Sequence, residues 1–518
     1  MKALLMHRDR DFDSLQEISC DADALTRDLE LTMLWHAMAG NDEFLIDVAR
    51  KTLFAGLHND IDTILYRHAV LQDCLKNPTE VRQLYDFAVE TIDNKKKHFF
   101  SILSDFPSAI LRDSIEMLQM FMGVLKTLRQ TARSQASSFH SEAFINLFAM
   151  IERELGDDYL ARIQGHLTEL KFKDGVLLST ELGKGNRSTH YIVRRAPNRA
   201  PWWSRIFSKR SPAYTFHIAE RDDAGARALS EIESRGINLV ANALAQSSDH
   251  ILSFFQMLRT ELAFYVGCLN LHDRLLTMNE PICFPRPVLV GERKHRVRGL
   301  YDVCLALQMQ RTVVDNAMDA DGKNLVIITG ANQGGKSSFL RGIGLAQLMM
   351  QCGMFVPAEF FEAELCGGLF THYKREEDAT MKSGKFDEEL ARLSNIVDTI
   401  GPNAMLLCNE SFAATNEREG SEIARQVVNA LLDQHIKIFF VTHFYEFAHD
   451  FFDRKRADAL FLRAERLTDG RRTFKLIEGE PFDSSHGEDL YKKIFVEGTK
   501  KEDANSVANN LQRSTLEH

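Results

Sequence analysis

The octapeptide Gly330-Ala331-Asn332-Gln333-Gly334-Gly335-Lys336-Ser337 leaves few architectures open to this chain. It fits G-x-x-x-x-G-K-[ST], the Walker A pattern or P-loop, in which backbone N–H groups turn inward to cradle phosphates. Its flanks agree with that reading. Leu325 to Thr329 is a short apolar run of the kind that forms a buried strand, and Ser338 to Met350 carries helical apolar spacing. A strand, a glycine-rich turn and a helix N-terminus together make an anion site, because the helix dipole adds partial positive charge where the N–H groups point. Gly330, Asn332, Gly334, Gly335 and Ser338 belong to the phosphate-binding set. Lys336 reaches the β- and γ-phosphates, and the Ser337 hydroxyl is a ligand for Mg²⁺. The bland alternative is a glycine-rich turn with no ligand. It does not account for strand, loop, Lys-Ser and helix falling in register.

Two later segments extend the same chemistry. Ala404 to Asn409 is an apolar strand that ends in Asn409-Glu410. Glu410 is placed to orient or deprotonate an attacking water, and is the catalytic candidate. Asn409 stands where a phosphate-cleaving site ordinarily puts an aspartate to support the metal. An amide accepts a hydrogen bond from a metal-bound water but brings no charge, so weaker Mg²⁺ binding and slower turnover are expected. Lys437 to Thr442 reads as another buried strand, ending at His443, which lies on the ligand side of an α/β sheet and suits a γ-phosphate sensor.

The remainder of the chain is of a different character. With 518 residues it has room for about three domains. Residues 1–157 read as helical. Leu118, Met122, Leu125 and Leu128 share one helix face, and the helix through Arg67 to Ile92 is interrupted near Asn77-Pro78. From about 158 to 220 the pattern predicts a small β-rich insertion. Its strands are expected at Leu167 to Lys173 and from Val176, with a turn at Asp174-Gly175, and then at Thr189 to Val193 and Ala213 to Ile218. Residues 221–287 form a returning helix, continuous or broken at Gly267, closed by the proline-rich linker Pro281 to Pro287. Residues 288–498 form the phosphate-binding α/β domain, and a polar tail occupies 499–518.

Net charge is −10, which excludes a surface basic all over, so any nucleic-acid contact must come from a local patch. One exists. No acidic residue lies between Leu182 and Ile218, while Lys184, Arg187, Arg194, Arg195, Arg199 and Arg205 are interleaved with Trp202 and Trp203. Cations suit a phosphate backbone and indole rings suit stacking. A solvated basic loop is the rival reading. The eight cysteines form no C-x-x-C pair, which points to reduced thiols and a cytoplasmic protein, and no run is long and apolar enough to span a membrane.

These motifs resemble the MutS family of DNA mismatch-repair ATPases, within the ABC-type P-loop superfamily. The family's T-G-P-N-M-G-G-K-S corresponds to Thr329 through Ser337, and its G-x-F-V-P-A to Gly353 through Ala358. Its D-E-x-x-x-G-T-S-T-x-x-G-x-x-I-A aligns with Asn409-Glu410 through Thr415, Gly420, Ile423 and Ala424, and its A-T-H-[YF] with Val441 through Phe444. The resemblance implies a helical core and lever region with a clamp-like insertion, followed by an ATPase domain. It also implies ATP and Mg²⁺ as cofactors, DNA as partner, and a homodimer joined through the ATPase domains. The signature S-T-F-x-x-E, which meets the partner subunit's ATP, corresponds to Gly384-Lys385-Phe386 with Glu389, its serine replaced. The N-terminal mismatch-reading and connector domains have no counterpart in this sequence. Phe444-Tyr445-Glu446 fits the mismatch-probing F-x-E pattern but belongs to the His443 loop. The expectation is therefore a nucleotide-gated, DNA-holding ATPase that does not read mismatches. The alternatives are a nucleotide-gated scaffold with negligible turnover and an ATPase acting on protein or RNA.

Overall fold

The computed structural model describes residues 1–13, 21–98, 106–173, 175–195, 214–375, 384–467 and 471–481. They form two compact units. One comprises Met1–Phe12 with Asp73–Ala263, and the other Asp13–Gln72 with Phe264–His518. The expected contiguous helical region 1–157 is thus divided, with Asp13–Gln72 folding into the unit that carries the P-loop.

The first unit is built on helices. Pro107–Gln135 opens with proline in its first turn, where a missing N–H costs nothing, and buries Leu118, Met122, Leu125 and Leu128 along one face. The break near Asn77-Pro78 separates Ile61–Lys76 from Pro78–His98, because Pro78 cannot continue the preceding hydrogen-bond ladder. Asp73 then serves the next helix: its Oδ2 accepts from the His140 and Ser141 N–H groups at 2.8 and 2.6 Å, just ahead of Glu142–Glu154. Glu261 is fully buried and accepts from the Leu5 and Phe12 N–H groups at 2.6 and 2.9 Å, tying the N-terminal segment down. Burial pushes its carboxyl up to about 7.

The inserted region is less β-rich than its sequence pattern suggests. Leu167 to Lys173 is not a strand. A helix, Asp157–Glu169, runs into it, since Leu160 and Leu167 are seven residues apart and both buried, a helical spacing that outweighs the short alternation beyond. Among the described residues what forms is one antiparallel hairpin of β1 (Leu177–Leu182) and β2 (Ser188–Arg194), with Leu177 opposite Arg194. Tyr214 to Ile218 takes no regular structure, and Tyr214 and Phe216 are exposed; Asp174 and Ala213 lie outside the described residues. The returning helix Asp223–Thr277 is a single run of 55 residues. It is unbroken at Gly267, where a Cβ would stand 3.2 Å from the Met38 side chain, so the glycine serves close packing there.

In the second unit the strands are β3 (Arg286–Val288), β4 (His295–Leu300), β5 (Asn316–Asp319), β6 (Leu325–Thr329), β7 (Phe360–Glu364), β8 (Leu369–Tyr373), β9 (Met405–Asn409), β10 (Lys437–Val441), β11 (Ala459–Arg466) and β12 (Arg472–Glu478). One sheet has the order β3-β7-β4-β5 and the other β12-β11-β6-β10-β9-β8. The proline-rich segment is therefore more than a linker. Its end is an edge strand that, among the described residues, pairs with β7 alone, a place where Pro287 costs no second ladder. In the six-stranded sheet β11, β6, β10, β9 and β8 run parallel, with β12 antiparallel at the edge. β6 and β10 are buried along their whole length, which is why both read as continuous apolar runs. The P-loop helix Lys336–Cys352 is held at its far end by Arg67, a fully buried guanidinium whose Nη1 donates to the Cys352 carbonyl at 3.0 Å. A cation there also complements the negative end of the helix dipole.

Candidate nucleotide site

The P-loop leaves the carboxyl end of β6 and enters the helix Lys336–Cys352 through a turn that only glycine fits. Gly330 and Gly335 have φ of 110° and 89°. At Gly334 a Cβ would lie 2.6 Å from Ala464 Cβ and 2.9 Å from the Ala331 carbonyl. The loop therefore lies flat against β11, with its N–H groups left for a ligand. Lys336 folds back into this cradle, its Nζ donating to the Gly330 and Ala331 carbonyls at 2.7 and 3.0 Å. Burial pulls its ammonium down to about 8, against the opposing charge of Glu410. Gln333, at φ 57°, accepts from Arg472 Nη1 at 2.6 Å. Asn332 is exposed at the loop's crest.

Side chains from three parallel strands meet beside this loop. The Ser337 hydroxyl donates to Asn409 Oδ1 at 3.0 Å, bringing the two residues singled out as metal ligands together. A hydroxyl and an amide oxygen, both hard neutral donors at a helix N-terminus, fit an octahedral Mg²⁺ that keeps most of its waters. Next along, Glu410 Oε1 accepts from His443 Nε2 at 2.7 Å, and its Oε2 stands 3.7 Å from Lys374 Nζ. The His443 hydrogen bond holds the Glu410 carboxyl below its ordinary range, against the opposite effect of burial, so it is ionised at neutral pH. The turn after β9 is strained, with Glu410 and Phe412 at φ 53° and 67°. Three contacts over-determine it. The Glu410 N–H donates to the Val441 carbonyl at 2.9 Å, the Phe412 N–H donates to Glu389 Oε1 at 2.6 Å, and Ser411 Oγ lies 2.7 Å from His372 Nδ1.

Two sets of residues at this site have no signal in the sequence. A cleft of about 460 Å³ is lined by Ser337 and Asn409 on one side and by Arg27, Asp28 and Glu30 on the other. These come from a segment some 300 positions upstream in the chain, and Arg341 joins the two, pairing with both Asp302 and Glu30. On the other side of the P-loop, Tyr301, Leu305, Val313, Phe339 and Phe474 line an apolar pocket of about 300 Å³ that reaches Gly335 and Ser338. Its size is at the lower end for ligand pockets, and its position suits a nucleotide's base. The alternation of β12 marks Phe474 only as a strand residue.

Other candidates lie apart from this cluster. Gly384 precedes the helix Lys385–Thr399, Lys385 is half-buried, and Phe386 packs against the core around Leu393, Ile396 and Phe412. In the first unit Lys184, Arg187, Arg194 and Arg195 are exposed on and beside the hairpin. Arg194 Nε donates to Ser179 Oγ at 2.7 Å, and Arg195 pairs with Glu169, so part of that positive charge is neutralised. Arg199, Trp202, Trp203 and Arg205 lie outside the described residues. Among the described residues no helix is long and apolar enough to cross a membrane.

Comparison with known proteins matches residues 59–278 to the MutS2 N-terminal domain and residues 326–512 to MutS domain V. The second match contains the P-loop, Asn409, Glu410 and His443. Similar proteins include the MutS protein homolog 4 of Mus musculus, 24% identical over 380 residues, covering 71% of this chain and 37% of that protein. The DNA mismatch repair protein MutS of Syntrophomonas wolfei is 33% identical over 190 residues, or 36% of this chain and 22% of its own. The DNA mismatch repair protein MSH3 of Arabidopsis thaliana is 33% identical over 135 residues, or 26% and 12% respectively. The chain thus spans about a third or less of the length of the curated relatives it matches.

Proposed function

The chain belongs to the MutS family, and on that premise we propose that it is an ATPase whose nucleotide state governs how a dimer of this chain holds DNA. The observation that carries the reading is the convergence of residues from separate motifs. Lys336 and Ser337 from the loop after β6, Asn409 and Glu410 from the end of β9, and His443 from the end of β10 meet at the carboxyl ends of these central strands.

The geometry suits hydrolysis of the γ-phosphate. The loop N–H groups and Lys336 hold the phosphates, and the pocket beside Phe474 takes the base. Ser337 directly, and Asn409 through a water, would hold Mg²⁺, whose charge offsets that of the phosphate oxygens. Glu410, ionised and aimed by His443, takes the proton of the attacking water. The neutral Asn409 weakens the hold on the metal, and the contacts of Glu410 with His443 and Lys374 must loosen for water to reach it. Both features favour slow turnover, and they give the nucleotide-gated scaffold its standing as the second reading.

The dimer would be joined at the ATPase domains in the ABC manner, with Gly384, Lys385 and Phe386 facing the partner's nucleotide. The N-terminus of the helix Lys385–Thr399 supplies the N–H groups for that role, and the half-buried ring of Phe386 fixes its position. The hairpin with its basic neighbours, including Arg199, Trp202, Trp203 and Arg205, would contact the DNA backbone. Holding without reading a mismatch fits the place of Phe444-Tyr445-Glu446, whose phenylalanine is buried against Gly420.

The test is a titration of the full chain against duplex, mismatched, branched and single-stranded DNA, without nucleotide, with ADP and with a non-hydrolysable ATP analogue, at two salt concentrations. Nucleotide-dependent binding is expected, with no preference for the mismatch and a salt slope reduced in the Arg187→Ala, Arg194→Ala double variant. No binding to any DNA, or a slope unchanged in the variant, overturns the assignment of that surface.

A further inference from the structure

Beyond β9 the sheet edge carries a second cavity of about 460 Å³, lined by three arginines, Arg27, Arg375 and Arg392, the first two of which also line the cleft beside Ser337 and Asn409. Arg375 follows β8, Arg392 lies on the helix Lys385–Thr399, and Arg27 comes from the helix Ala22–Asp28. Placing three guanidinium groups on one cavity is unfavourable without a counter-ion. Burial, and then the neighbouring arginines, hold both Arg375 and Arg392 below the ordinary guanidinium range.

The carboxylates nearby offset these charges only in part: Asp28 faces all three arginines, and Glu388 faces Arg375. Asp21 is engaged as a helix cap, its Oδ1 accepting from the Ala24 N–H at 3.0 Å, and Glu389 is engaged with the Phe412 N–H. Asp28 stands 3.7 Å from Arg27 Nε and is itself pushed up by burial. Arg392 spends one N–H on the Tyr373 carbonyl at 3.1 Å. Arg375 Nε is buried and has no hydrogen-bond partner among the described residues, a donor left waiting.

We propose that Arg27, Arg375 and Arg392 form an oxyanion site, separate from the P-loop, that takes inorganic phosphate. Planar guanidinium forks match tetrahedral phosphate oxygens, and three of them on one cavity are what such a ligand satisfies. Arg27 and Arg375 also line the cleft that holds Ser337 and Asn409, so the two cavities share a wall. The binding itself stands apart from the proposed ATPase activity; the source of the phosphate rests on it. In hydrolysis a water oxygen bonds to the γ-phosphorus, the bond from that phosphorus to the β–γ bridging oxygen breaks, and the water's proton passes to Glu410. The products are ADP and orthophosphate, and the arginine cavity is where the orthophosphate moves on leaving the cleft.

The test is a calorimetric titration of the full chain with inorganic phosphate at low ionic strength, in saturating ADP so that the P-loop is filled. Saturable binding is expected in wild type. It should weaken about tenfold or more in Arg375→Gln, where a charge-assisted bond is lost. Arg375→Lys should bind with intermediate affinity. A melting curve for each variant confirms that it folds. No binding in ADP-saturated wild type overturns the proposal, as does binding that survives Arg375→Gln in a folded protein. Binding of a 5′-phosphorylated oligonucleotide without binding of free phosphate overturns it too. Phosphate binding in a protein that does not cleave ATP would contradict only the proposed function, and cleavage without phosphate binding only this site.

Discussion

Replacing Lys336 by methionine should stabilise the nucleotide-free protein while abolishing its response to ATP. The ammonium is buried and falls from 10.5 to about 8, which corresponds to about 3 kcal/mol of unfavourable free energy for the charged form in the folded state. Its two bonds to the Gly330 and Ala331 carbonyls return about 1 kcal/mol each. Lys336→Met should therefore gain about 1 kcal/mol at pH 7, a rise in Tm of about 2 °C for a unit of this size. The pH dependence follows from the same numbers. The folded protein sheds this proton at lower pH than the unfolded chain, so wild type gains stability as pH rises from 8 towards 10.5. Relative to the variant that gain is about 2 kcal/mol between pH 7 and 9.5, enough to reverse the order. Thermal melting at the two pH values reads it. ATP at 100 times its Kd should add about 2.7 kcal/mol to wild type and nothing to the variant. A variant that is 2 kcal/mol less stable at pH 7, or that keeps the wild-type pH slope, would refute the reasoning.

Two further outcomes are expected. Asn409→Asp places a charge 3.0 Å from the Ser337 hydroxyl and should lower the Mg²⁺ concentration needed for half-maximal nucleotide binding by about tenfold or more; an unchanged Mg²⁺ titration contradicts the metal assignment. Glu261, raised to about 7 by burial, favours the folded first unit below pH 4.5, and that contribution is lost as pH rises through 7. Glu261→Gln should flatten the pH dependence of Tm between 5 and 8, and a curve parallel to wild type would show that the carboxyl is not responsible.

The candidate nucleotide site was legible where chemistry dictates residue types over short spans. The loop glycines are required by positive φ and by the approach of Ala464, the strands β6, β9 and β10 by burial on both faces, and Glu410 and His443 by their positions at strand ends. What stayed hidden depends on distant packing. Arg27, Asp28 and Glu30 reach the cleft only because Asp13–Gln72 folds with residues far along the chain, and no local spacing records that. The strand expected at Leu167 to Lys173 failed because a seven-residue alternation competes with a helical stripe already running from Asp157. At Tyr214 to Ile218 the β-forming residues have no pairing strand among the described residues, and a strand without a partner leaves its backbone groups unsatisfied. The glycine at 267 read as a possible break, yet it marks a close contact with Met38.

Steady-state ATP turnover by the full chain, wild type against Glu410→Gln, with and without Mg²⁺, is the most direct test of the claim that the carboxyl ends of β6, β9 and β10 form a hydrolytic site. Wild type should release phosphate only with Mg²⁺. The variant should bind ATP as tightly and turn it over about 100-fold more slowly or worse, the usual contribution of a general base. Equal rates in the two proteins, or no turnover in wild type above the buffer rate, would contradict it.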